Sequence, residues 1–420
     1  MHKSIGILTS FVFISTAAFC QTPSAQDTLR FYKQEISSLP AKNSRQNRAY
    51  AAALADALHT WTLQNHQDSA VQDALFIQAR LWLRAQENGR AVVTLFRLRR
   101  LFPTLDVNAL LPLLTEAYPG LNTSVREQAA VLLKEDSRVP QAPASQREAE
   151  ALYELSKLSG TAFYPAATAA FESFFTRYPN YEGNNEVELW YGDLHRLNGN
   201  YLAAISQYKK ADELYPASPY KAASRRMIGD IYADNLKDTE TALQIYTQVL
   251  RQFPHSSETG IVYKHMAILD ENNKQYDSAL INYDKAIELL GTSSTAYDAY
   301  RGKADVYVKT KQYNDAYDVL HKTAALFQTD KEAASQALLA AAKLANKQLR
   351  DPQKYTLSLE KALLVYPDGP TAPDLMYELG QAYETQQPAK AKEMYKKLVL
   401  KYPTAKQATK AQKRLARLEK

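Results

Sequence analysis

The chain has 420 residues, 45% of them hydrophobic, and its 51 Lys and Arg exceed its 45 Asp and Glu by a formal net charge of +6. So small an excess leaves no electrostatic footprint for nucleic acid, and neither zinc-finger spacing nor an aromatic–glycine RNA-binding signature is present. A single cysteine, Cys20, excludes a disulfide framework and a paired-cysteine metal or redox site.

The first residues read as a secretory signal. Lys3 supplies the positive n-region, and Ile5 to Ile14 is an apolar stretch too short to span a bilayer. Ala18-Phe19-Cys20 places small residues at −3 and −1, so cleavage before Gln21 is expected. Phe19 stands where an acylated cysteine normally follows a small residue, so no lipid attachment is expected. Removing Lys3 from the formal +6 leaves +5 and a mature chain without cysteine. No second apolar run reaches the ~18 residues of a membrane span, which predicts a soluble mature protein with no transmembrane segment.

After residues 1–20, the chain divides into an N-terminal helical region (21–134), a linker (135–146) and a repeat array with a terminal capping helix (147–420). Asp27 to Ser38 and Gln46 to Gln64 both read as helices, separated by Leu39-Pro40. Asp73 to Pro103 reads as one repeat, on Trp82, Ala91, Leu95 and Leu98. Leu105 to Leu133 is helical with a break at Pro119-Gly120. Glu135 to Gln146 carries two prolines and no large aromatic, the composition of a linker. Thr404 to Leu418 is an amphipathic helix, with Ala408, Ala411, Leu415 and Leu418 on one face. No segment sustains the period-2 alternation of a strand.

Punctuation organises the array. Six helix-like runs end in an aromatic residue followed by proline: Phe102-Pro103, Tyr178-Pro179, Tyr215-Pro216, Phe253-Pro254, Tyr366-Pro367 and Tyr402-Pro403. The prolines lie 76, 37, 38, 113 and 36 residues apart, close to whole multiples of one unit. A helix stop repeated at a fixed interval is the mark of stacked helical hairpins. Between the stops, small residues and tyrosines recur. One unit carries Gly192, Tyr201, Ala204, Tyr208 and Ala211, the next Gly229, Tyr232, Ala242, Tyr246 and Val249. Then come Ala267, Tyr276, Ala279, Tyr283 and Ala286, and Ala304, Tyr307, Tyr313, Ala316 and Leu320. The last unit has Gly380, Tyr383, Ala391, Tyr395 and Leu398. Gly or Ala lets paired helices approach, and the tyrosines fill the gaps between hairpins. One hairpin cannot bury both apolar faces, so several must stack.

This order of small residue, tyrosine, alanine, tyrosine, alanine and proline resembles the tetratricopeptide repeat, most clearly from about Ala151 to Lys420. The Tyr-Pro-x-Ser and Phe-Pro-x-Ser endings (Tyr215 to Ser218, Phe253 to Ser256) are similar to repeats of periplasmic envelope proteins, the Tol–Pal coordinator and outer-membrane assembly types. The resemblance implies an all-α, helical-hairpin solenoid wound as a right-handed superhelix. It also implies a non-enzymatic scaffold for protein–protein interactions in the bacterial envelope, periplasmic or outer-membrane-associated. The alternative is a solenoid binding carbohydrate or cell wall through stacked tyrosines.

No catalytic, cofactor or metal motif is present: no His-Glu-x-x-His, Gly-x-Ser-x-Gly, Walker loop or dinucleotide glycine fingerprint. No enzyme activity, cofactor or nucleic-acid partner is therefore expected. His195, where a helix of the repeat usually carries an aromatic, reads as a packing imidazole. The expected site is the concave groove lined by the first helix of each hairpin, where envelope proteins or peptide segments would bind. Its candidate residues are Arg196, Arg226, Asp230, Lys264, Arg301, Asp305, Lys347 and Tyr377. Some relatives of this repeat type grip a peptide's terminal carboxylate with groove asparagines. Here those positions hold Asp193, Asp230 and Asp305, which argues against that mode. Arg226–Asp230 and Arg301–Asp305 are spaced as i, i+4 pairs, either self-neutralising or a mixed-charge ligand surface.

Overall fold

In the computed structural model, residues 24–40, 44–65 and 69–419 are described; the expected signal segment lies outside them. The described residues form 21 α-helices and no strand. They divide into two compact units, one reaching Ser224 and the other starting at Arg225.

The first unit holds α1 (Ala25–Ser38), α2 (Arg45–Gln64), α3 (Val71–Ala85), α4 (Asn88–Leu101), α5 (Leu111–Ala117), α6 (Thr123–Lys134), α7 (Ala144–Leu155), α8 (Tyr164–Arg177), α9 (Asn184–Leu197) and α10 (Tyr201–Leu214). Helix α4 is its hub, packing against α3, α5, α6, α7 and α8. Apolar residues fill most of its faces, and three arginines, Arg97, Arg99 and Arg100, are buried with them. Buried guanidiniums need partners. Arg100 is bound to both oxygens of Glu154 and donates to the Leu132 and Glu135 carbonyls at 3.0 and 2.8 Å. Arg97 Nε donates to Glu148 at 3.0 Å, and Arg99 donates to the Pro103 carbonyl and to Asp136. Segment 135–146 is thereby tied to α4. It is tied to α7 as well, because Glu150 accepts from Ser137 Oγ and the Arg138 N–H at 2.6 Å each.

Helix α11 (Lys221–Asp234) carries the chain across the division. The second unit continues with α12 (Thr239–Gln252), α13 (Glu258–Asn272), α14 (Tyr276–Leu290), α15 (Ser294–Lys309), α16 (Tyr313–Leu326), α17 (Lys331–Leu344), a π-helical turn (Ala345–Leu349), α18 (Pro352–Val365), α19 (Ala372–Tyr383), α20 (Pro388–Lys401) and α21 (Lys406–Leu418). From α12 onward each helix packs on the next, as a stack of hairpins requires. Ala408 and Ala411 of α21 are buried, and Leu415 and Leu418 pack on the cluster around Leu398 and Tyr395.

Two local features set the repeat. Each of the six aromatic-Pro pairs that punctuate the repeat stops a helix, and the aromatic is the residue that caps it. Phe253 sits at φ −131°, ψ 53° and Tyr402 at φ −130°, ψ 58°, each donating its N–H four residues back. The proline ring disfavours the α conformation in the residue before it, which favours a stop there. Six of the turns inside hairpins hold a residue in the left-handed region: Gln86, Gly199, Lys237, Lys274, Lys311 and Arg350. The turn 235–238 that joins α11 to α12 is one residue longer than 273–275 and 310–312 in the next two hairpins.

Candidate functional site

The repeat tyrosines are committed to packing. Tyr208, Tyr246, Tyr283 and Tyr395 are buried, each near the middle of the second helix of its hairpin. Their rings lie against glycines. A Cβ on Gly192, Gly229 or Gly380 would approach a carbon of Tyr208, Tyr246 or Tyr395 to 2.3, 2.5 and 2.4 Å. Their hydroxyls donate to carboxylates: Tyr208 to Asp193 at 2.8 Å, Tyr246 to Asp230 at 2.7 Å, Tyr283 to Glu271 at 2.8 Å and Tyr395 to Glu384 at 2.6 Å. Burial, reinforced by the carboxylate beside each, raises all four phenols far above their ordinary range. A buried hydroxyl facing a carboxylate is a donor and stays protonated. These four rings are not free to stack on a ligand.

Asp193 and Asp230 therefore hold the repeat together from the face expected to line a groove. Asp230 does most. It is ion-paired with Arg226, which also bridges to Glu258 at 2.5 Å, and His265 Nδ1 lies 2.6 Å from it. Burial pushes its carboxyl up, but the His265 hydrogen bond and the Arg226 charge outweigh burial and hold it below the ordinary range. The i, i+4 spacing predicted the first of these partners. Glu258 and His265 come from the next hairpin and carry no local signal. Arg196 pairs with Asp193 at 3.1 Å on its own helix. Lys264 is half-buried on α13. Tyr377 accepts from Arg414 Nε at 3.2 Å, so α21 covers it, and Arg414 also pairs with Glu384.

The remaining three candidates converge. Arg301 and Asp305 on α15 and Lys347 on the π-helical turn line one cavity of about 250 Å³, with Lys343, Leu320 and Gln348. Sequence reasoning placed these three on a common face and missed Lys343. The cavity coincides with a break in the repeat. Asp305 follows Ala304 as Asp193 follows Gly192, but the tyrosine that should cap it from the second helix is Leu320. Leu320 fills space and offers no hydroxyl. Burial and the Glu271 carboxylate raise the Asp305 carboxyl, while Arg301 and Lys309 oppose that rise. Three exposed cations, Arg301, Lys343 and Lys347, surround this one carboxylate. Such a set attracts an anionic group and can grip it through the planar Arg fork.

Elsewhere, His195 is buried, with Tyr164 Oη 2.7 Å from its Nδ1 and the Tyr191 ring 4.4 Å away. Burial lowers its pKa, which suits a packing imidazole. Among the described residues no three His, Cys, Asp or Glu side chains gather as a metal set, and no helix is long and apolar enough to cross a membrane.

Comparison with known proteins agrees with the repeat. Two tetratricopeptide-repeat family models match, one at 225–256 and 374–405 and the other at 189–218. No enzyme family is among these matches. Among curated proteins none matches significantly. The chain is similar to the C-terminal part of a TPR repeat-containing protein from Cytophaga hutchinsonii: 17% identity over 63% of this chain and 98% of that one, TM-score 0.42. A tetratricopeptide repeat protein from Parabacteroides merdae gives 16% identity, 66% and 99% coverage and a TM-score of 0.37. YrrB, described as a TPR protein with an unusual peptide-binding site, gives 23% identity, 49% and 97% coverage and a TM-score of 0.33. The matches at 189–218, 225–256 and 374–405, where the hairpins are closed by glycine–tyrosine contacts, show that the chain carries tetratricopeptide repeats there.

Proposed function

We propose that the chain is a non-enzymatic scaffold that binds an extended, acidic segment of a partner protein, and that it does so in the bacterial cell envelope. The observation that carries the binding site is the cavity at Arg301, Asp305, Lys343 and Lys347, which opens where Leu320 interrupts the tyrosine series. Its net positive lining would take an Asp or Glu side chain of the partner, and Asp305 would orient a neighbouring backbone N–H. Repeat proteins of this kind keep packing residues constant and vary the exposed face, so a break in the packing pattern is where a ligand position is expected. The envelope setting is supported by Lys3, the apolar run Ile5 to Ile14 and the small residues Ala18 and Cys20.

Two experiments test this. Affinity capture from an envelope extract with the mature protein supplies the partner, and the double variant Arg301→Glu with Lys347→Glu is then titrated against it. Binding should weaken at least tenfold and lose salt dependence, with melting unchanged, because both side chains are exposed. Unchanged affinity of the folded variant rejects the site. For export, mass spectrometry of the mature N-terminus should find Gln21; an intact Met1 rejects the envelope setting, and a diacylglyceryl group on Cys20 would make the protein membrane-tethered.

A further inference from the structure

The first unit contains a second cavity, of about 180 Å³, between α2, α3, α4, α7 and α8. Its wall includes Glu148, buried, which accepts from Arg97 at 3.0 Å and from Arg177 at 2.5 Å. One carboxylate thus serves two guanidiniums, and neither is satisfied. Arg97 is 9% exposed, and its Nη2 has no hydrogen-bond partner; nor has Nε of Arg177. Gln78, 1% exposed and on the same wall, leaves Oε1 without a partner. Buried polar atoms are nearly always paired, because an unmet one forfeits its hydration. Three on one cavity mark a place for a ligand.

The charge of the wall tells which kind. Arg90 is neutralised by Asp56 at 3.0 Å, which leaves Arg97 and Arg177 against Glu148 alone. His59 adds no charge: burial, helped by Arg97, Arg177 and Arg90, pushes its imidazole down to about 4. The excess is one positive charge. The opposite wall is apolar and small, because α8 turns Ala166, Ala169 and Ala170 toward the cavity where larger side chains would fill it. Asp56 and Ala169 are exposed, so the cavity has a mouth to solvent.

We propose that this cavity binds a carboxylate carried on a short apolar body, its oxygens taking the free N–H groups of Arg97 and Arg177 and its hydrocarbon lying on the α8 alanines. A guanidinium pair suits a carboxylate because each planar fork presents parallel N–H bonds to it. Gln78 Oε1 leaves an acceptor for a hydroxyl or N–H on the same molecule. The site is separate from the cavity at Arg301 and asks for a different ligand.

The test is isothermal titration of the full mature chain with sodium hexanoate, against hexanamide and against sodium chloride at equal ionic strength. A peptide ending in a free leucine carboxylate, and its amide, form a second arm. Saturable binding of hexanoate, at least tenfold tighter than hexanamide, is expected. Binding of the free-acid peptide alone would retain the carboxylate chemistry and assign its source to a polypeptide terminus. Ala170→Leu, which fills the cavity without touching the arginines, should abolish binding while melting like the parent. Arg177→Gln should abolish it too, but that variant also strips Glu148 of a partner, so Ala170→Leu is the deciding one. Equal binding of amide and acid, no binding in either arm, or binding retained in Ala170→Leu would overturn the proposal.

Discussion

Tyr246 donates its hydroxyl to Asp230 at 2.7 Å while its ring fills the space that a Cβ on the adjacent Gly229 would occupy, 2.5 Å from Tyr246 Cε1. One side chain therefore holds two consecutive residues of the facing helix, one by packing and one by a charge-assisted hydrogen bond. The same pair of contacts joins Tyr208 to Gly192 and Asp193. At Ala267 the small residue carries a methyl group, and Tyr283 finds its space at Gly302 of the following hairpin instead.

Gly229→Ala should destabilise the second unit. Alanine gains about 1 kcal/mol of helix propensity over glycine, and the clash with the Tyr246 ring costs about 1–3 kcal/mol. A lower urea midpoint with an unchanged slope is the expected result. Ala204→Leu and Ala279→Leu, both at fully buried alanines, should each cost ~1–3 kcal/mol by overpacking. Unchanged midpoints would reject the assigned hairpin contacts.

Glu154→Ala should be among the most damaging single changes in the first unit. It leaves the fully buried Arg100 without its carboxylate, a loss of about 3–5 kcal/mol for a broken buried pair. Asp136→Ala removes a solvent-exposed carboxylate from Arg99, which keeps the Pro103 and Leu105 carbonyls, and should cost less than Glu154→Ala. Equal effects of the two in thermal melts would contradict the burial of Arg100.

Stability should fall in acid below neutrality. Burial lowers His59 and His321 to about 4 from 6.5, with cationic neighbours assisting. Both are held neutral in the fold, so the unfolded chain binds more protons between these values. Their contribution is complete above pH ~6.5 and is lost as pH falls toward 4, at up to about 1.4 kcal/mol per pH unit for each histidine. His321→Gln should flatten the second unit's share of this slope; a slope unchanged in that variant would rule out His321 as a source.

Leu320→Tyr should close the cavity at Arg301. The ring would take the position that Tyr208 and Tyr246 hold in their hairpins, and its hydroxyl would reach Asp305. The expected outcome is a melting temperature equal to or above the parent's and loss of the partner's binding. A variant that binds as before would show that the interrupted tyrosine series does not create the site.

Much of this arrangement could be read without coordinates, because its causes are local. Pro254 restricts the backbone of Phe253, so a helix stop is legible in two letters. The spacing of Arg301 and Asp305 puts them on one helical face whatever surrounds it. Leu320, in place of a tyrosine, is likewise visible as a break in a periodic series. Lys343 was missed because it belongs to α17, and no repeat position of α15 predicts which residues of the following helix will face it.

Tertiary structure alone decided where the buried charges meet. Arg97 and Glu148 are separated by 51 positions and Arg100 and Glu154 by 54, and Glu258 and His265 reach Arg226 and Asp230 from the next hairpin. Periodicity specifies which face of a helix is apolar, but many carboxylates have the right composition to pair with a given arginine. Only the packed backbone selects one, since the choice depends on which side chains lose water together. The cavity between α2 and α8 follows from the same fact: a guanidinium left unmet by its neighbours becomes recognisable only once all those neighbours are in place.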